Sequence, residues 1–364
     1  MALLFVFLLG VNGLGDGFKS LGSGLLDSFF AATENPFMGL IVGILATTLV
    51  QSSSVSTSLI VGLVAAPDNP LPIANAVPMI MGANIGTTVT NTLVSLGHIG
   101  RADEFRRAFA VATCHDFFNF IAVAVFLPLE MLTGYLQKTA TALSSLLTGV
   151  GGVQYESPIK NSLKASLGPI KSAIAFVFSG TGAQSVALII VSIGLIFTAL
   201  YLLVRVMRSA MQSRVEGLVS RGLDKSPLLA IIIGIVVTVM VQSSSITTSL
   251  LVPLAGAALI TLRQAFPITV GANLGTTVTA ALDALAATGD NASAGITIAL
   301  VHLLFNLSAT LLIFSWQPIR QIPLIAAQRL ADIAVESRRY ALLYVIILFY
   351  GLPALLTVLN QLLK

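Results

Sequence analysis

Uncharged, mostly apolar stretches follow one another along this chain. Residues 35–67, 69–100, 172–204, 226–262, 291–319 and 340–363 contain no Asp, Glu, Lys or Arg. At about 20 apolar residues per crossing, these stretches predict several membrane-spanning helices. Two of them are interrupted. The run PFMGLIVGILATTLV gives way at Gln51 to QSSSVSTSL, seven hydrogen-bonding side chains broken only by Val55. The run that opens at Pro227 meets QSSSITTSL at Gln242. From each proline to its glutamine there are only about 14 residues, too few to span at 1.5 Å per residue. Both helices are therefore predicted to break at Gln-Ser-Ser-Ser. A break leaves backbone N–H and C=O groups unpaired at membrane depth, which is tolerated only where they line a cavity and meet a ligand.

The two interruptions belong to a longer duplication. QSSSVSTSL and QSSSITTSL agree at seven of nine positions, and GANIGTTVT at Gly82 returns as GANLGTTVT at Gly271. Gln242 follows Gln51 by 191 residues and Gly271 follows Gly82 by 189, so order and spacing are kept. HDFFN at His115 pairs in the same way with HLLFN at His302. One unit has been duplicated.

Charge then orients the copies. The loop before the first copy carries Asp16, Asp27 and Glu34 against Lys19, whereas 205–225 before the second is strongly basic; after the second motif, GRADEFRR is basic and ALAATGDNASAG is not. Basic loops face the cytoplasm, so the copies are predicted to enter the membrane from opposite sides, as inverted-topology repeats do. The predicted organisation is repeat 1 over 1–130, an inter-repeat loop and connecting segment over 131–185, repeat 2 over 186–316, and a cytoplasmic basic segment with a C-terminal transmembrane helix over 317–364. The fold class is an all-α polytopic membrane protein.

Composition narrows the classes. The chain of 364 residues is 56% hydrophobic and 9% charged, against about 25% charged for a soluble domain. The N-terminus has no basic n-region or small-residue cleavage site, which predicts no removed signal peptide. One cysteine, Cys114, permits no internal disulfide or cysteine pair for a metal. The basic residues sit in short connectors between spans, which speaks against nucleic-acid binding.

The motif chemistry suits a cation and an oxyanion together. The glycines at both ends of Gly-Ala-Asn-x-Gly allow the backbone either to unwind or to approach a neighbour closely. Asn84, Thr87 and Thr88, with Asn273, Thr276 and Thr277, offer neutral hard oxygens suited to an alkali cation. Serine hydroxyls and helix N-termini suit an anion. Neither motif pair contains Lys or Arg, and an anion in low dielectric without positive charge is very costly. Bound Na⁺ would supply that charge, which would couple the two ions. Asp116, an ionisable residue in an apolar run, reads as part of a cation site or gate, or as half of an interhelical pair. Asn119 joins the cation set; His115 and His302 read as buried hydrogen-bonding residues, and Asn306 is open between ligand and structure. Interhelical packing by small and hydroxylated residues is the bland account of the same motifs, but it does not explain why glutamine and asparagine recur in both copies.

Paired QSSS, GANIGTTVTNT and EFRRAFAVATCHDFFNF resemble the type II sodium-dependent phosphate cotransporter family, over about Pro36 to Phe314. The resemblance implies a Na⁺-coupled phosphate symporter and no enzyme. Its QSSS segments lie in re-entrant hairpins around the substrate, which places Gln51, Ser52, Ser53, Ser54, Gln242, Ser243, Ser244 and Ser245 at phosphate. Na⁺ is the coupling ion, and phosphate, Na⁺ and the bilayer are the partners. Animal members carry a large glycosylated, disulfide-bonded loop; here Glu130 to Gln184 is modest and lacks cysteine. The short form points to a bacterial inner-membrane protein. Asn291-Ala-Ser293 fits a glycosylation acceptor on the tripeptide alone. The alternatives are a Na⁺-coupled carrier of another oxyanion such as sulfate or arsenate, an intramembrane serine hydrolase, for which no G-x-S-x-G elbow occurs, and a channel, which fits a doubled closed site less well.

Overall fold

The computed structural model describes residues 33–50, 52–66, 70–149, 158–195, 226–286 and 291–362, with scattered positions outside these ranges. Every regular element among the described residues is helical. In the first half these are α1 (Pro36–Val50), α2 (Ser53–Val64), α3 (Ile73–Thr87), α4 (Val89–Leu96) and α5 (Ala102–Thr133). They are followed by α6 (Tyr135–Gly149), α7 (Pro158–Val177) and α8 (Thr181–Leu195). The second half holds α9 (Pro227–Val241), α10 (Ser244–Gly256), α11 (Leu262–Ala286) and α12 (Ala292–Ser315). The chain ends in α13 (Gln317–Glu336), α14 (Arg338–Val345), a π-helical turn (Ile346–Gly351) and α15 (Leu352–Leu362).

Among the described residues four stretches are long and apolar enough to cross a membrane: α5, Leu262–Leu282 of α11, α12, and Arg338–Leu356. The protein is thus an all-α polytopic membrane protein. α1, α2, α9 and α10 are apolar but too short to cross, because each run is cut at Gln-Ser-Ser-Ser. The chain ends α9 by turning Gln242 into the left-handed region at φ 56°, a conformation that a non-glycine residue adopts at a cost. Residues 131–185, expected to be a loop and connector, carry α6 and α7. The Glu130 carboxylate accepts from the backbone N–H groups of Leu136 (2.6 Å) and Gln137 (3.1 Å) and so satisfies the first turn of α6.

Helix contacts come in equivalent pairs. α1 packs along α3 as α9 packs along α11. The short helices then cross over: α2 lies on α11 and α12 of the second half, and α10 lies on α4 and α5 of the first. α6 packs on α12 and α13 on α5, again exchanged between halves.

Glycine settles the closest of these approaches. A methyl group on Gly82 would collide with the Leu40 carbonyl, and one on Gly43 with the Met79 carbonyl; Gly271 faces the Ile231 carbonyl and Gly234 the Ile268 carbonyl in the same way. Of the two uses open to the Gly-Ala-Asn-x-Gly glycines, close approach is the one seen at Gly82 and Gly271. The helices α3 and α11 run unbroken through residues 82–86 and 271–275.

Candidate functional site

Each break is built by the same serine. Ser52, extended at φ −151°, caps α2 by accepting the Val55 N–H on its hydroxyl (3.4 Å). Ser243, at φ −157°, caps α10 by accepting the Ile246 N–H (3.4 Å). The backbone N–H groups of Ser53 and Ser54, and of Ser244 and Ser245, then stand in the first turn of a helix, where no intrahelical acceptor exists and the positive end of the helix dipole lies. All four of these serines are buried. The Ser244 hydroxyl has no hydrogen-bond partner among the described residues. Gln242 donates through its side-chain amide to the Val239 carbonyl (2.6 Å), so it closes the end of its own helix as well as standing at the break. Gln51 lies outside the described residues.

The asparagines meet in one chain of hydrogen bonds, and its polarity can be assigned from the backbone upward. Asn119 donates its amide to the backbone carbonyl of Asn84 (2.8 Å). Its side-chain oxygen therefore accepts, from the amide of Asn273 (2.9 Å). The Asn273 oxygen in turn lies 2.8 Å from Nε2 of His115, so that nitrogen carries the proton. On the other side Asn306 donates to the Asn84 side-chain oxygen (3.3 Å), and Asn84 donates to the Ile80 carbonyl (3.0 Å). Each half's Gly-Ala-Asn asparagine thus meets the His-x-x-x-Asn helix of the other half. All five residues are buried, as is His302, and Asn306 Oδ1 and the Nδ1 atoms of both histidines have no partner among the described residues.

Asp116 sits elsewhere. One carboxylate oxygen accepts from the Tyr344 hydroxyl of the C-terminal span (2.6 Å), the Thr88 hydroxyl lies beside the same carboxyl, and the other oxygen has no partner among the described residues. The threonines of the second motif are buried and donate back along their own helices: Thr87 to Ala83 (2.8 Å), Thr88 to Ile85 (2.8 Å), Thr276 to Ala272 (3.1 Å) and Thr277 to Leu274 (2.7 Å). Their oxygen lone pairs remain available to a cation. Among the described residues no cluster of three His, Cys, Asp or Glu could hold a metal, so any cation here would rest on neutral oxygens with Asp116.

Three positions add to the expected set. Thr248 (2.9 Å) and Ser249 (3.0 Å) of α10 both donate to the Asn91 side chain, tying α10 to the first half. Asn91 lies in GANIGTTVTNT, but the second copy has Ala280 in its place, so the repeat comparison does not single it out. The far ends of α2 and α10 are also fastened across the halves. Arg107 donates to the carbonyls of Ala255 (3.1 Å) and Gly256 (2.7 Å) at the end of α10, and the Asn291 amide donates to Ala66 (2.6 Å) just beyond α2. That amide nitrogen, the atom a glycan would take, is therefore engaged.

The Na⁺/Pi-cotransporter family model matches residues 6–154 and 195–355. The chain is 34% identical over 427 residues to the sodium-dependent phosphate transport protein 2A of Mus musculus, covering 98% of this chain and 66% of that protein. It is 30% identical over 442 residues to the sodium-dependent phosphate transport protein 2B of Homo sapiens, covering 97% of this chain and 63% of that protein. The chain thus spans a little under two thirds of the length of these curated relatives. No solved structure matches it.

Proposed function

This chain belongs to the Na⁺/Pi-cotransporter family, and from that premise we propose that it is a secondary transporter that couples Na⁺ entry to uptake of inorganic phosphate. The observation that carries the reading is the pair of serine-capped helix starts at Ser53 and Ser244, buried in the protein, with the Ser244 hydroxyl left unpartnered. Backbone N–H groups at a helix start and free hydroxyls are the donors that a phosphate oxygen takes. In this reading phosphate binds Ser52, Ser53, Ser54, Ser243, Ser244 and Ser245 together with Gln51 and Gln242. Na⁺ binds among Asn84, Thr87, Thr88, Asp116, Asn119, Asn273, Thr276 and Thr277.

The exchanged helix contacts and the paired cross-half asparagines support two inverted repeats, over 1–130 and 186–316, with the ions bound where they meet and alternating access about that interface. The ion pair of Arg106 with Asp332 draws two of the basic segments together, which supports their lying on one face, the cytoplasmic one. Neither hairpin supplies a fixed cation, so Na⁺ provides the charge that makes phosphate binding favourable. Uptake of radiolabelled phosphate into proteoliposomes, with and without an inward Na⁺ gradient, tests the reading. Accumulation only with the gradient, competed by arsenate and not by sulfate, is expected; gradient-independent flux or uptake of sulfate in place of phosphate would reject it.

A further inference from the structure

At the basic end of α5 a cavity of about 250 Å³ opens between α5, the turn after α10, and α13. Arg106, Arg107, Thr261 and Gln328 form its polar lining, Ile260 and Leu262 are among its apolar lining, and no carboxylate lines it. Arg106 is paired with Asp332. Arg107 has no carboxylate partner among the described residues; its hydrogen bonds go to the carbonyls of Ala255 and Gly256, which orient the guanidinium without neutralising it.

The surroundings are apolar where a soluble protein would be polar. α13 buries Leu324, Ala327, Ala331 and Ala334, and it packs on α5. It leaves Ile322, Ile325 and Ile333 each nearly half exposed, while Arg320 and Arg329 share the helix. Asp332 and Glu336 balance these arginines in number, Asp332 through its pair with Arg106, and an amphipathic helix with charged residues and uncovered isoleucines suits the boundary between headgroups and acyl chains. Leu259, in the turn that precedes Ile260, is 70% exposed.

We infer that this cavity is a binding site for the phosphate group of an anionic phospholipid. A guanidinium matches phosphate oxygens in a planar fork, and a basic pocket between helices on the cytoplasmic side is the setting in which such headgroups are held. Free phosphate shares the oxyanion chemistry, but it has no use for the apolar lining or the exposed leucine and isoleucines. Because Arg107 also fastens the end of α10, headgroup binding would brace the second hairpin helix from the cytoplasmic side.

The test is the unfolding midpoint of the full chain in detergent. It is titrated with short-chain phosphatidylglycerol, with phosphatidylcholine of the same chain length, and with inorganic phosphate at matched ionic strength. Gln328→Glu and Arg106→Gln alter the cavity and leave Arg107 and its cap in place. Phosphatidylglycerol should raise the midpoint where phosphatidylcholine does not, and either substitution should raise its half-saturating concentration about fivefold, the size of one charge near an anionic headgroup. Inorganic phosphate should act equally on wild type and Gln328→Glu. If the substitution weakens protection by inorganic phosphate and not by lipid, the cavity takes the free ion and the lipid assignment falls. Equal protection by the two lipids, or an unchanged phosphatidylglycerol response in both variants, overturns the site.

Discussion

Nε2 of His115 lies 2.8 Å from Oδ1 of Asn273, and the two residues stand 158 apart in the chain. This contact joins α5 of the first half to α11 of the second through a chain whose proton positions follow from one backbone carbonyl, that of Asn84. Asn119 is the middle link, donating to that carbonyl and accepting from Asn273. Asn119→Ala should leave both groups buried and unpaired and destabilise the protein by about 1–3 kcal/mol. Asn119→Asp should do no better, since a carboxylate cannot donate to the Asn84 carbonyl. Denaturant or thermal unfolding in detergent reads both; wild-type stability in Asn119→Asp would remove the assigned polarity.

Neighbouring serines at the second break should part company. Ser243→Ala removes the hydroxyl that caps α10 and should cost about 0.5–2 kcal/mol of stability. Ser244→Ala removes a hydroxyl with no partner among the described residues, so stability should hold while phosphate binding weakens by about 1–3 kcal/mol. Paired unfolding and phosphate-binding titrations decide it, and the assignment of Ser244 fails if its loss lowers stability and leaves phosphate affinity untouched.

The glycine pairs predict equal penalties in both halves. Gly82→Ala and Gly271→Ala each drive a methyl group into a facing backbone carbonyl, which cannot swing aside as a side chain can. Each should destabilise by about 1–3 kcal/mol, the usual cost of overpacking. Gly100→Ala, where a methyl group meets nothing within 4 Å, serves as the control. Unfolding midpoints of the three variants suffice, and an unaffected Gly271→Ala would mean that α9 and α11 can move apart.

Repetition and periodicity made the helix breaks legible. Two serine clusters at matched offsets, each about 14 apolar residues after a proline, led to α1–α2 and α9–α10 as the structure has them. What sequence could not give is which faces meet. Asn273 finds Asn119 across 154 residues and Tyr344 finds Asp116 across 228, and no local pattern encodes pairing at such range. The connecting segment between the repeats carries a helix of its own, α7, and nothing in the repeat comparison marks it, because it lies outside the duplicated motifs. The capping role of Gln242 depends on its left-handed backbone, which a glutamine does not announce.

Asp116 combines two readings that substitution can separate. Its carboxylate accepts the Tyr344 hydroxyl at 2.6 Å and keeps a second oxygen unpartnered among the described residues. Tyr344→Phe removes only the donor, whereas Asp116→Asn keeps the shape and removes the charge. If the free oxygen serves Na⁺, Asp116→Asn should raise the Na⁺ concentration needed for half-maximal transport while the protein stays folded, and Tyr344→Phe should shift it less. A double-mutant cycle on stability should give a coupling of about 0.5–3 kcal/mol for the pair. Unchanged Na⁺ activation in Asp116→Asn would leave the residue as half of an interhelical pair.

The absence of Lys and Arg from both hairpin motifs makes the strongest demand on mechanism. Phosphate buried against serines and helix N-termini still carries its charge into a poorly polarisable site, where partial dipoles alone leave it costly. If Na⁺ supplies the balance, Na⁺ must raise phosphate affinity and phosphate must raise Na⁺ affinity by the same factor, because coupling between two ligands is reciprocal. A coupling of about 1–3 kcal/mol corresponds to roughly 5–150-fold. Phosphate titrations at a series of Na⁺ concentrations, and Na⁺ titrations at a series of phosphate concentrations, give the two factors independently. Ser244→Lys places a fixed cation at the same helix start, so phosphate binding that survives in it should depend less on Na⁺, even where transport is lost because the charge can no longer leave. Wild-type phosphate affinity that is indifferent to Na⁺ would show that the hairpins hold the anion by dipoles alone, and the coupling would then have to arise from the conformational change between the two faces.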